Sequence, residues 1–280
     1  MARILVLGTI AQDHVVRLPG PLVSGSHQDG LDKGPRLGGG GANAAVALAR
    51  AGDTALLAGA VGDDPAGNDL IQELKALGVD TSLTVRLQAP SSRSIVMTDP
   101  AGERTIVNLH RLLESEPPRR VLNIAADAMY VRSRKQGLAS LMAEMSERMT
   151  VVAEVPPLIP GMAPAQVLIG SASDLNAEFL ADPFKNGQSV AGGRLQWMVV
   201  TQGAQGAEAF GADCAHLIQP ARQVKVVDST GAGDAFAAGL THALARGKAM
   251  AEALKIAVAW GTAATQYDGS VPGEGFPPVL

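Results

Sequence analysis

The chain has 280 residues, 46% hydrophobic but only 3% aromatic, so it can bury one large α/β core or two smaller ones built from Ala, Val, Leu, Ile and Met. A formal net charge of −4 argues against a general nucleic-acid binder, which carries a basic face. The single cysteine, Cys214, allows no intrachain disulfide and fits a reducing, cytoplasmic setting, and no run approaches the length of a membrane span: the apolar stretch after Gly41 is broken by Arg50 and Asp53.

Met1-Ala2-Arg3 runs straight into Ile4–Leu7, too short for a signal-peptide core and patterned as a central parallel strand ending at Gly8. Residues 14–37 carry prolines and many glycines and read as strands and turns outside the main core. Gly38–Gly41 leads into ANAAVALARAG, a helix closed by Gly52. Thr54–Val61 reads as a second buried strand and Asp63–Leu77 as an amphipathic helix stopped by Gly78. Leu83–Leu87, Ser94–Thr98 and Thr105–Leu109 read as strands, the last two joined in a hairpin by Asp99-Pro100-Ala101-Gly102. Strands near 121–131, 150–155, 166–170 and 197–201 then alternate with helices over 135–149 and 174–181. A strand pair covers 207–218, Val224–Val227 is a further strand, one helix follows Gly231 and another spans 249–265. This alternation predicts a parallel sheet with helices on both faces, and the β-rich pieces predict a small accessory sheet.

Three glycine-containing segments carry the chemistry. In VKVVDSTGAGDAFAAG, residues 224–239, a strand and polar turn lead through glycines into a helix, which leaves unpaired N–H groups at a helix start. Asp234 falls in the first turn, where it either complements the helix dipole or serves as a base. A carboxylate beside an anion hole suits transfer of a phosphoryl group to an alcohol. The run GGGGANAA, from Gly38, lacks the Gly-Lys-Ser/Thr of a P-loop and lies too far after the first strand for a dinucleotide fingerprint, which argues against a nicotinamide oxidoreductase. It is either a hinge or a bare-backbone surface that, with the Asn43 amide, suits a polyhydroxylated ligand. In VVTQGAQGAEAF, from Val199, a strand ends at Thr201 and turns at Gly203 and Gly206; the turn either closes an ordinary hairpin or lines a ligand site at a strand end. The five histidines show no metal-ligand spacing, and Cys214 reads as a bystander.

In this order and spacing the motifs resemble those of the ribokinase, or PfkB-type, carbohydrate kinase family over nearly the whole chain. DSTGAGDAFAAG is similar to its C-terminal signature, GGGGANAA to its N-terminal one, and AVGDDPAG, from Ala60, to its G-x-V-G-D-D-x-x-G segment. The resemblance implies a three-layer α/β/α ribokinase-like core with a small β-sheet lid. The core would be residues 1–11, 38–83 and 110–280, and the lid 12–37 and 84–109, with a homodimer formed through the lid. It further implies that ATP, with Mg2+, phosphorylates a sugar. Asp234 would be the base, and the N–H groups of Gly231, Ala232 and Gly233 the anion hole. Asp13, Gly39, Gly40 and Asn43 would hold the sugar, and Thr201, Gly203 and Gly206 would line the nucleotide site. Asp228 and Thr230 lie in the loop that binds K+ in many members.

Two places depart from the family pattern. The N-x-x-E segment tied to magnesium is replaced by IGSASDLNAEF, in which Ser171-x-x-Asp174 is the best register and Asn176/Glu178 a shifted alternative; Asp174 is the expected metal residue. Val258 stands where the adenine rim usually has Asn or His. SSRSIVMTDPAGERTIVN, ending at Asn108, is most similar to the ketohexose-kinase side of the family, with Asn108 near the sugar. Arg132 in MYVRSR either pairs structurally or reaches an anionic end of the substrate, as in a sulfofructose or sugar-phosphate kinase. A regulatory sugar-binding protein weakened at its metal site is the remaining alternative.

Overall fold

Successive residues of the first strand point to opposite sides, and both sides are apolar. In the computed structural model, which describes residues 1–278, this strand is β1 (Arg3–Gly8). Ile4 and Val6 enter one core and Leu5 and Leu7 another, so β1 is central in a sheet covered on both faces. The chain continues through β2 (Ala11–Arg17), β3 (Leu31–Gly38), α1 (Gly40–Arg50), β4 (Thr54–Ala58), β5 (Ala60–Gly62), α2 (Pro65–Ala76) and β6 (Val85–Leu87). Next come β7 (Ser92–Thr98), β8 (Arg104–His110), β9 (Ala128–Arg132), α3 (Ala139–Met145), β10 (Thr150–Val155) and β11 (Val167–Ser171). The last elements are α4 (Ala177–Ala181), α5 (Pro183–Ala191), β12 (Trp197–Thr201), β13 (Ala207–Gly211), β14 (His216–Gln219), α6 (Ala232–Leu244) and α7 (Met250–Ala264).

The large sheet has the order β14-β13-β12-β11-β10-β9-β1-β4. It is parallel from β4 to β12; β13 then pairs antiparallel with β12, and β14 antiparallel with β13. The larger core joins one face to α1, α2, α6 and α7; the other lies under α3, α4 and α5. This is the expected three-layer α/β/α arrangement. The small residues of α6 allow close packing: a Cβ on Gly239 would lie 2.9 Å from the Trp260 ring on α7.

The second sheet, β3-β2-β7-β8, pairs β2 with β7 in parallel and its outer strands antiparallel. Asp13 is in register with Ser94, and Ser94 with Asn108, so the three share one face. That face meets two loops of the body. Arg104 Nη1 donates to Ser229 Oγ (2.9 Å) and O (3.2 Å), and Asp268 receives Arg36 (3.1 Å), Arg17 (3.5 Å) and Lys33 (3.9 Å).

Several predicted elements are redrawn. Thr54–Val61 is two strands: the chain bends at Gly59, where a Cβ would lie 2.7 Å from Gly8 O, and β5 leaves to pair with β6. Val85–Leu87 therefore pairs outside the small sheet. Val224–Val227 is not a strand. Its alternating pattern finds no partner strand among the described residues, Val226 and Val227 stay exposed, and Val227 N bonds Thr265 O. The strand near 121–131 begins at Ala128, after a 3-10 turn at Arg119–Asn123. The helix over 135–149 shortens to α3 because Gly137 takes a positive φ of 87°. The helix over 174–181 starts only after Asn176, whose Oδ1 accepts from Phe179 N (2.8 Å), and α5 follows it, capped by Asp182 and opened by Pro183.

Candidate active site

The site lies beyond the carboxyl ends of the parallel strands, where an open α/β sheet collects its ligands. α6 starts there because Gly231 takes φ 78°, and no larger residue fits: a Cβ would lie 2.1 Å from Ser270 O. Ala232 N bonds back to Ser229 O (3.3 Å). Gly233 is exposed, with open space where a Cβ would stand, and lies in the first turn at the positive end of the helix, where N–H groups lack intrahelical partners. This donor set fits an oxyanion.

Asp234, in the first turn of α6, is buried with a side chain 12% exposed. Its two oxygens are held differently. Asn43 Nδ2, from α1, donates to Oδ2 at 2.7 Å, whereas Arg132 Nε, from the end of β9, donates to Oδ1 at a longer 3.3 Å. The same Nε lies 2.7 Å from Glu154 Oε2 on β10, and the Tyr130 hydroxyl donates to Glu154 Oε1. Gly40 gives the room: a Cβ there would be 2.7 Å from Asp234 Oδ1 and 2.8 Å from Arg132 Cγ and Nε. Asn43 Oδ1 is buried and has no partner among the described residues.

Burial, then the charge of Asp234, pushes the Glu154 carboxyl up to about 7, although Arg132 and the Tyr130 hydroxyl pull it down; Asp174 adds a smaller push upward. The same carboxylates raise Arg132, outweighing its desolvation, so its charge is fixed. Glu154 and Tyr130 escaped the sequence reading. The available signal was a lone acid in an apolar strand, TVVAEV, and a tyrosine two residues before Arg132 on the same strand face.

On the small sheet, Asp13 Oδ1 accepts from the Ser94 hydroxyl, and Gly38 passes so close that a Cβ would overlap the Asp13 carboxylate. Burial raises the Asp13 carboxyl; Ser94 opposes this, and Asp234 adds to it, which places the two acids within electrostatic reach across the cleft. Asn108 lies on the same sheet face and is exposed. Gly39 takes φ 91° and a Cβ would meet Thr9 O at 2.5 Å, so the backbone turns tightly between β3 and α1.

Around the cleft, Asp228 is buried, and its carboxylate accepts from Thr230 N (2.8 Å) and Gly269 N (3.2 Å). Thr230 Oγ1 is buried without a partner among the described residues. These oxygens fit a hard cation. Asp174 is exposed in a turn closed by Asp174 N to Ser171 O (2.9 Å), and the turn is tied to β12 by Ala172 N to Thr201 O (2.9 Å). A single carboxylate here suits Mg2+, which keeps waters and takes its other ligands from phosphates. No group of three acidic, histidine or cysteine side chains clusters as a metal cage among the described residues. Thr201 and Gly203 stand at the β12 end, and Gly206 turns into β13 with φ 105°. Val258 is buried in the larger core on α7.

A buried carboxylate at a helix start, facing a polar sheet across a cleft, suits a phosphotransferase with an alcohol acceptor. The pattern of pfkB family carbohydrate kinases matches residues 1–155 and 162–274. The ribokinase of Bacillus subtilis (strain 168) is 30% identical over 275 residues, covering 92% of this chain and 90% of that protein. The fructokinase of Klebsiella pneumoniae is 30% identical over 276 residues, covering 84% and 87%. The fold matches the ribokinase of Cryptococcus neoformans var. grubii serotype A, solved in complex with ADP, with a TM-score of 0.76, 24% identity and 97% coverage of both chains. The chain belongs to the pfkB family of carbohydrate kinases and is a sugar kinase of that family.

Proposed function

We propose that the chain transfers the γ-phosphoryl group of ATP to a hydroxyl of a ketohexose, such as fructose or a fructose derivative. The observation that carries this is the seating of the Asp234 carboxylate in the first turn of α6, next to the exposed Gly233, with Oδ2 pinned by Asn43. Oδ1 is the oxygen that takes the acceptor's proton. As the acceptor oxygen bonds to the γ-phosphorus, the bond to the bridging oxygen of ADP breaks, and the N–H groups of Gly231, Ala232 and Gly233 take up the phosphoryl charge.

Asp13, Ser94 and Asn108 on the small sheet, with Gly39 and Gly40 opposite, form the sugar side. Thr201, Gly203 and Gly206 form the nucleotide side. Mg2+ would be held by Asp174, directly or through water, and supplies charge neutralisation between the phosphates; Asp228 and Thr230 would hold K+. The small sheet acts as a lid that excludes water. Its outer strands expose Leu31, Val107 and Leu109, which supports a homodimer through this sheet. The setting is cytoplasmic. Two carboxylates offset the charge of Arg132, which supports a neutral acceptor over a sulfonated or phosphorylated one.

An ADP-release assay with Mg2+, over hexoses, pentoses, sugar phosphates and sulfosugars, tests the acceptor class. Asp234→Asn should lower kcat on the best acceptor by about 10²–10⁴-fold while sugar binding by calorimetry survives. Near-normal turnover in that variant would sink the mechanism.

A further inference from the structure

Arg132 is pulled by two carboxylates at once and rests nearer one of them: 2.7 Å from Glu154 and 3.3 Å from Asp234. Its stem is confined, since Gly40 leaves no more than a hydrogen's width beside Cγ and Nε. Neither Nη1 nor Nη2 has a hydrogen-bond partner among the described residues. Glu154 is itself braced from behind by the Tyr130 hydroxyl, on the same strand as Arg132. Were the Glu154 charge missing, Asp234 would be the one carboxylate left within ion-pair distance of Nε. The guanidinium would then close on Oδ1, the oxygen that must receive the acceptor's proton, because Oδ2 is occupied by Asn43.

We propose that Glu154, braced by Tyr130, is a positioning residue that draws Arg132 toward itself, keeps the Arg132 bond to Asp234 Oδ1 long and so leaves Oδ1 able to take the acceptor's proton. The role rests on the assignment of Asp234 as the base. Glu154 acts through Arg132 and touches neither substrate. Tyr130 and Arg132 from β9 contact it, and the charges of Asp234 from α6 and, more weakly, Asp174 from the turn after β11 act on it through space. Protonation of Glu154 is equivalent to loss of its charge, and its carboxyl is pushed up to about 7. Arg132 is therefore released toward Oδ1 as the pH falls through neutrality, and turnover falls with it.

The test compares the wild type with Glu154→Gln, Glu154→Asp and Tyr130→Phe, using D-fructose and D-ribose as acceptors. Glu154→Gln should lower kcat by about tenfold or more while KM for ATP stays within about twofold, and the near-neutral acid limb of the kcat profile should vanish. Glu154→Asp should recover part of the loss, and Tyr130→Phe should show a smaller loss of the same kind. An unchanged kcat and pH profile in Glu154→Gln, with Asp234→Asn inactive, overturns the positioning role alone. Turnover surviving in Asp234→Asn overturns the base assignment instead. Should Glu154→Gln not fold, Tyr130→Phe decides on the same two readouts. A readout without turnover is the crystal structure of either variant: contraction of the 3.3 Å separation between Arg132 Nε and Asp234 Oδ1 is expected, and an unchanged separation overturns the proposal.

Discussion

Gly40→Ala separates the geometry of the site from the stability of the fold. The added methyl carbon would stand 2.7 Å from Asp234 Oδ1 and 2.8 Å from Arg132 Cγ and Nε, against roughly 3.5–4.0 Å for an ordinary carbon contact. Two side chains must therefore retreat by about 1 Å, because the backbone of α1 is fixed by Gly41 against Gly8. The energetic terms nearly cancel. Overpacking costs about 1–3 kcal/mol, and the lower end applies because side chains rather than backbone give way. Alanine at a helical position returns up to about 1 kcal/mol relative to glycine. The net change in stability is about 1 kcal/mol or less. Catalysis has no such compensation, since a displacement of about 1 Å costs on the order of 10²-fold in rate. The assay is ADP release at saturating ATP and acceptor, alongside thermal unfolding followed by circular dichroism. Gly193→Ala, where a Cβ meets nothing within 4 Å, is the control. A Gly40→Ala protein that unfolds like the wild type and turns over at an undiminished rate would refute the convergence of Gly40, Arg132 and Asp234.

Two further perturbations act away from the base. Burial would raise the Asp53 carboxyl, but hydrogen bonds from His242 and Arg246, helped by Ala2 N, outweigh it and hold it below the ordinary range. A lowered folded-state value contributes stability that is present above about 3.9 and is lost as the pH falls through that lowered value. Asp53→Asn should cost at most about 3 kcal/mol at neutral pH, the low end for a broken buried pair because Arg246 and His242 are partly exposed, and it should flatten the acid side of the stability curve measured by urea unfolding. Arg104→Ala removes the donors that tie β8 to Ser229. Stability should move by less than about 1 kcal/mol, as for an exposed polar contact, while KM for the acceptor rises with kcat nearly kept; an unchanged KM would count against the small sheet closing over the sugar.

What could be read from the sequence follows the range over which each feature is determined. Gly231 and Gly233 mark a helix start that must expose its backbone, and that need is written in adjacent letters. The central strands are equally legible, because burial on both faces demands an unbroken apolar run such as Ile4–Leu7. Val224–Val227 has the right alternation but no neighbouring strand to pair with, and only the assembled sheet could reveal that. The glycine run from Gly38 was undecidable alone, between a hinge and a ligand surface. Its meaning lies in distances to residues elsewhere in the chain: Gly38 under Asp13, Gly40 between Arg132 and Asp234, Gly41 on Gly8. Asn43 shows the same limit, since its amide donates to the Asp234 carboxylate 191 residues away and fixes one of its oxygens. Glu154 is the sharpest case. An acid near the end of an apolar strand is costly on its own, and its cause is visible only when Tyr130 and Arg132 on the adjoining strand stand beside it. Local backbone requirements leave local signatures, whereas a side-chain network that tunes a base is spread over several elements and needs the sheet order to bring it together.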